Sequence, residues 1–220
     1  MYKNIKVLVL VVLTSWVIQP SALSDSLQRV KMISPADEDR VRRNYRDTSR
    51  HLLSSYAIFL EGNYQQIRKI NNWLDEIYTI ESGRRTINKL FDSGNKVIIR
   101  HSEWALHASG RTSAPMSSHL TDGLGEDALV LIDTRMPDSG SHQVFNSKRS
   151  LIEFNALHNL FHELVHAKHY TNGSWRYFDS EGQAIEEENI FRLQLAKHLG
   201  KKTTDLRVGK RGQQIWWPKS

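Results

Sequence analysis

Residues 151–167 read L-I-E-F-N-A-L-H-N-L-F-H-E-L-V-H-A, and this stretch decides the fold. His162-Glu163-Leu164-Val165-His166 within it spells H-E-x-x-H. Leu151, Phe154, Leu157, Leu160 and Phe161 precede or enter the motif, and Leu164, Val165 and Ala167 continue it. Their three- and four-residue spacings are those of a half-buried helix. Residues four apart on a helix share a face, so His162 and His166 can grip one metal ion with their imidazoles. Glu163 then stands beside the metal's open position, where it can take a proton from a water held there. His158 lies one turn earlier on the same stripe and is expected as a core histidine or a support for the ligands, because a fourth protein ligand would close the water position.

A two-histidine helix needs a third ligand. The extended pattern H-E-x-x-H-x-x-G-x-x-H fails, since the later positions hold His169 and Asn172. An acidic residue on a following helix is the other common source. Ser180 to Gln183 reads as a capping box and Gly200 as a helix end, and Glu181, Glu186, Glu187 and Glu188 lie between them. Ala184, Ile185, Phe191, Leu195 and Leu199 mark the buried stripe, and Glu188 falls on it. A carboxylate there costs several kcal/mol unless a metal or cation compensates it. Glu188 is therefore the expected ligand, with Glu187 and Asp179 as competitors and Arg192 as its partner one turn on. Glu181 is assigned to the first turn, where an acid complements the helix dipole. Glu186 belongs to a wetter face. Tyr170 and Tyr177 are candidate donors to a developing oxyanion.

The chain has 220 residues and no cysteine, so it forms no disulfide, has no thiol catalysis and must bind any metal through His, Asp or Glu. Its formal charge is +6, of which Lys3 and Lys6 supply two, leaving +4 after residue 24. The apolar and charged fractions are those of an ordinary globular protein. No interleaved aromatic and basic signature is present, so nucleic acid is not an expected partner.

Two lysines in Met1–Lys6, an apolar run from Val7 to Ile18, and Ala22 and Ser24 in an A-x-A-like arrangement form the layout of a secretory signal peptide, residues 1–24, cut near Ser24-Asp25. The run is short for a transmembrane helix, so no stable membrane insertion is expected after cleavage. Residues 25–54 read as a charged, mostly helical extension, and 55–220 as the main domain. Helices are expected at about Ser49–Leu60, Tyr64–Tyr78, Glu81–Phe91 and Ser180–Gly200. Strands are expected at Lys96–His101 and Ala128–Asp133. Ser102–Gly125 and Arg135–Arg149 read as connections.

The order of a helix, T-I-E-S-G at 79–83, a second helix and a strand within 65–101, then H-E-L-V-H-A at 162–167 and E-N-I-F-R at 188–192, resembles the NleD-like zinc metallopeptidases, bacterial type III secreted effectors. The likeness spans about residues 55–200. It implies His162 and His166 as ligands, Glu163 as catalytic acid/base and Glu188 as third ligand. It also implies proteolysis of host signalling proteins, in that family mitogen-activated protein kinases. The chain departs from the family in its Sec-like leader.

These readings converge on a secreted α+β protein of zincin-like architecture, with a small sheet packed on the H-E-x-x-H helix and a following helix. The expected activity is that of an endopeptidase with one Zn2+ ion and a protein substrate. A substrate strand is expected to pair with the edge of the sheet containing Ala128–Asp133. The alternatives are a non-catalytic, basic secreted binding module on a degenerate fold of this kind, and a zinc hydrolase of non-peptide substrates.

Overall fold

The computed structural model describes residues 30–33, 57–103, 110–140 and 144–208. The signal-peptide region 1–24 lies outside them, as does all of the 25–54 extension except residues 30–33.

Ala57-Ile58-Phe59-Leu60 is a continuous apolar run, and every side chain in it is buried. A run buried on both faces is the pattern of an interior parallel strand. Accordingly Ile58–Glu61 is strand β2, not the end of the expected Ser49–Leu60 helix. It is flanked by β1 (Val30–Ile33) and β3 (Val97–His101), both parallel to it. The strand at 30–33 stands where a helical extension was expected, and it ties that segment to the main sheet. β5 (Ala128–Ile132) runs parallel to β3, and β4 (Arg111–Ser113) closes the sheet antiparallel to β5. The five-stranded order is β1-β2-β3-β5-β4, so the edge next to β5 is already occupied and β4 is the outer strand. Val144–Phe145 (β6) and Leu151–Ile152 (β7) form a separate two-stranded ribbon.

Helix α1 (Tyr64–Thr79) begins with a capping box in which the Asn63 and Gln66 side chains each accept from the other's backbone N–H. Ile67, Ile70, Trp73, Leu74 and Ile77 bury its apolar face. Helix α2 (Glu81–Asp92) follows after a single residue. That abrupt turn needs Gly83, since a Cβ there would lie 1.9 Å from the carbonyl oxygen of Ile77. Both helices match the periodicity of the sequence.

Helix α3 (Ala156–Thr171) is the centre of the molecule. It packs against α1, α2, β4, β5 and the last helix, α4 (Ser180–His198). Every residue from Ala156 to Ala167 is buried, so this helix is enclosed rather than half-buried. It also starts later than the apolar spacing implied, because the Asn155 side chain accepts from the His158 N–H and ends the helix there. Leu151 and Phe154 thereby fall outside it. At α4 the N-cap residue is Asp179, which makes no side-chain cap bond, and Gln183 spends its amide on Ser174 and His169 instead of on a capping box. Among the described residues no helix is long and apolar enough to cross a membrane.

Candidate metal centre

Helical spacing brings His162 and His166 together. Their Nε2 atoms are 3.2 Å apart and their rings meet edge to face. α4 crosses this face by its first turn. Glu181 Oε1 lies 3.2 Å from His166 Nε2, and its Oε2 lies 3.4 Å from His162 Nε2. The ligand atoms of His162, His166 and Glu181 all fall within 4.8 Å of one another. Two imidazoles and one carboxylate, in a chain without thiols, form a donor set that suits zinc. Glu181 is about half exposed at the mouth of a cleft of about 200 Å³, which leaves the opposite side of this cluster open.

The structure sets Glu188 on the other side of His162. Its Oε2 is 3.0 Å from Nδ1, the ring nitrogen facing away from His166 and Glu181. Glu188 is wholly buried, and two guanidinium groups compensate it: Arg192 Nε donates to Oε1 at 2.7 Å and Arg207 Nη1 to Oε2 at 2.8 Å. The carboxylate expected on the buried stripe is thus there, but its neighbours are the back of one imidazole and two cations, and the carboxylate that converges on both Nε2 atoms is that of Glu181. Glu187 faces away as well, held by Lys168 and by His169 at 2.8 Å. Glu186 pairs with Arg176 at the surface. Asp179 is the α4 N-cap residue and is not part of the cluster.

Burial alone would push His162 toward the neutral form and Arg207 adds to this, but the Glu181 and Glu188 carboxylates prevail and raise it to about 9. Burial opposes ionisation of Glu188, yet Arg207, His162 and Arg192 hold it well below the usual carboxylate range. Glu181 is shifted the same way by the two histidines. His158 is buried between Phe154, which it stacks on, and Phe191, which it meets edge-on. Burial and the nearby Arg192 push it down to about 3, so it is neutral at physiological pH.

Glu163 also lines the cleft. Strand β4 presses against it, with the Thr112 hydroxyl 2.6 Å from Oε2 and 3.0 Å from its backbone oxygen. Gly110 makes this approach possible, since a Cβ there would stand 2.8 Å from Glu163 Cγ and 2.9 Å from Asn159 Oδ1, and its φ of +125° excludes most residues. Tyr170 lines the cleft with its ring stacked 6.5 Å from that of His166, whereas Tyr177 lies outside the lining.

Gly110, Thr112 and Arg207 were not among the residues singled out from sequence. Arg207 reaches the cleft from the end of the described chain, where reciprocal bonds of 2.8 Å between its backbone and the Asn189 amide clamp it. A lone arginine in a basic tail carries no spacing by which to find it.

No family model and no curated relative matches the sequence. Among solved structures the chain is similar to the botulinum neurotoxin serotype C1 light chain protease, at 19% identity and a TM-score of 0.37, covering 51% of this chain and 37% of that one. A zinc-removed apo form of the botulinum neurotoxin type C light chain gives 18% identity and a TM-score of 0.37, with the same coverage. The chain thus matches over little more than a third of the length of those structures.

Proposed function

We propose that this protein is a zinc endopeptidase whose metal is held by His162, His166 and Glu181. The observation that carries the reading is the convergence of these three side chains at one cleft with the Glu163 carboxylate on its wall. A zinc ion bound there would supply Lewis acidity to the scissile carbonyl and to an attacking water. Glu163 takes the proton from that water and passes it to the leaving amine. Thr112 keeps the carboxylate turned toward the cleft, and Gly110 lets strand β4 come close enough to do so. Glu188 fixes the rotation of the His162 ring by accepting at Nδ1, which leaves Nε2 to face the metal. Arg207 and Arg192 keep Glu188 ionised in a place where an unpaired carboxylate would be untenable.

The substrate in this reading is a protein. β4, the exposed edge of the sheet beside the cleft, offers backbone groups to an extended chain. The resemblance to the NleD-like peptidases supports host signalling proteins, mitogen-activated protein kinases among them, as targets. The charge–apolar–small pattern of residues 1–24 supports export, followed by action as an effector.

The test is hydrolysis of a host lysate, followed by labelling of new N-termini. Wild type should generate them and the zinc-loaded Glu163→Ala variant should not, with turnover reduced by orders of magnitude and zinc content unchanged. Equal cleavage by both proteins would overturn the mechanism.

A further inference from the structure

The segment joining the two metal-binding helices carries a row of aromatic rings that the proposed chemistry does not use. Tyr170, in the cleft wall, packs 5.5 Å from Trp175, Trp175 5.1 Å from Tyr177, and Tyr177 4.8 Å from Phe178. The row starts at the ring beside His166 and ends in solvent, where Phe178 is 89% exposed and Tyr177 59%. Scattered exposed apolar residues are ordinary. Two adjoining ones that continue a row of tilted and edge-on ring contacts out of a cleft form a surface built to be covered.

The backbone beneath them is fixed. Trp175 N–H donates to the Leu120 carbonyl at 2.9 Å, and Asp179 N–H to that of Arg176 at 3.0 Å. The Gln183 side chain accepts from Arg176 N–H and donates to the Ser174 carbonyl, fastening the segment to the first turn of α4. Glu181 lies on that first turn, three residues beyond Phe178.

We propose that Tyr177 and Phe178 form a subsite that receives a bulky apolar or aromatic side chain of the substrate, on the Glu181 side of the scissile bond. The proposal rests on the endopeptidase reading and names the substrate class: polypeptides with Phe, Tyr, Trp, Leu or Met a few residues from the cut. Continuity with the cleft identifies the occupant, because Tyr170 belongs both to the cleft lining and to the row. Aromatic pairs favour edge-on geometry, which two contacts of the row already show, and an incoming ring can extend it.

The experiment compares the zinc-loaded full chain with the double variant Tyr177→Ser, Phe178→Ser on a proteome-derived peptide library. Wild type should favour large apolar residues over glycine at one position a few residues from the cut. The double variant should lose about tenfold of that preference in kcat/KM, at unchanged zinc content and Tm. An identical preference in both proteins overturns the subsite. If wild type cleaves no peptide at all, the endopeptidase reading fails instead. Binding of a phenylalanine-containing peptide to zinc-loaded Glu163→Gln then reads the subsite without turnover. Weaker binding after the double substitution supports it, and equal binding overturns it.

Discussion

Replacing Glu188 and replacing Glu181 should injure the protein in different ways. Glu188 has no exposed surface and is shared by His162, Arg192 and Arg207. Glu188→Ala takes the shared carboxylate from two buried guanidinium groups, leaving Arg192 with the Glu153 carbonyl at 2.7 Å and Arg207 with Glu181 at 3.9 Å, and breaking a buried pair from one side costs about 3–5 kcal/mol. A chain of this size loses about 2–4 °C in Tm per kcal/mol, so the metal-free protein should melt roughly 6–20 °C lower. Its zinc affinity should fall by about 10–100-fold, the usual result of removing the partner that orients a ligating imidazole. Glu181 stands about half exposed at the cleft mouth, so Glu181→Ala should lower the melting of the metal-free protein less than Glu188→Ala does, through loss of its pairs with His162 and His166. Its zinc loss should exceed that of Glu188→Ala, because a donor itself is gone. The assay is differential scanning calorimetry in chelator, followed by zinc competition with a fluorescent chelator on the folded variants. Full zinc affinity in Glu181→Ala, together with abolished binding in a folded Glu188→Ala, would refute the assignment of the third donor.

Thr112→Val removes the hydroxyl 2.6 Å from Glu163 and should lower kcat by about tenfold while zinc content stays constant, as steady-state kinetics and metal analysis would show. His158 titrates near 3 when folded and near 6.5 when unfolded, so the unfolded chain takes up its proton first and stability drains away as pH falls below about 6.5. His158→Gln should therefore lose about 3 kcal/mol less than wild type between pH 7 and pH 4.5, measured by urea denaturation in chelator. Mass spectrometry of exported protein should find a mature N-terminus at or near Asp25, and an intact Met1 would refute cleavage.

The H-E-x-x-H helix was legible because its signal is local: two histidines four apart in an apolar setting. α1 and α2 were legible by their helical period, and β3 and β5 as short runs of β-branched and apolar residues next to turn or loop segments. β2 was mistaken for a helix because an unbroken apolar run has no period to tell the two apart. β4 was missed because Arg111-Thr112-Ser113 has no apolar alternation, being an outer strand recruited by pairing with β5. The preference for Glu188 followed from asking which acid is buried, and the burial was real. Convergence on the histidines depends on how α4 crosses α3, and at the crossing the first-turn Glu181 meets Nε2 while Glu188 lies behind the ring. That angle is a tertiary fact, and so is the return of Arg207 to the cleft.

The parts of the cleft are also spread unevenly in time. Gly110 and Thr112 leave the ribosome first, the two histidines some fifty residues later, Glu181 and Glu188 next, and Arg207 close to the end. Domains gain structure as they emerge, and of the two guanidinium groups that compensate Glu188, Arg192 is made one helical turn later and Arg207 nineteen residues later. A nascent chain can assemble its sheet and its central helix before it holds a finished cleft. The buried network behind His162 is complete only once the segment that carries Arg207 has been made.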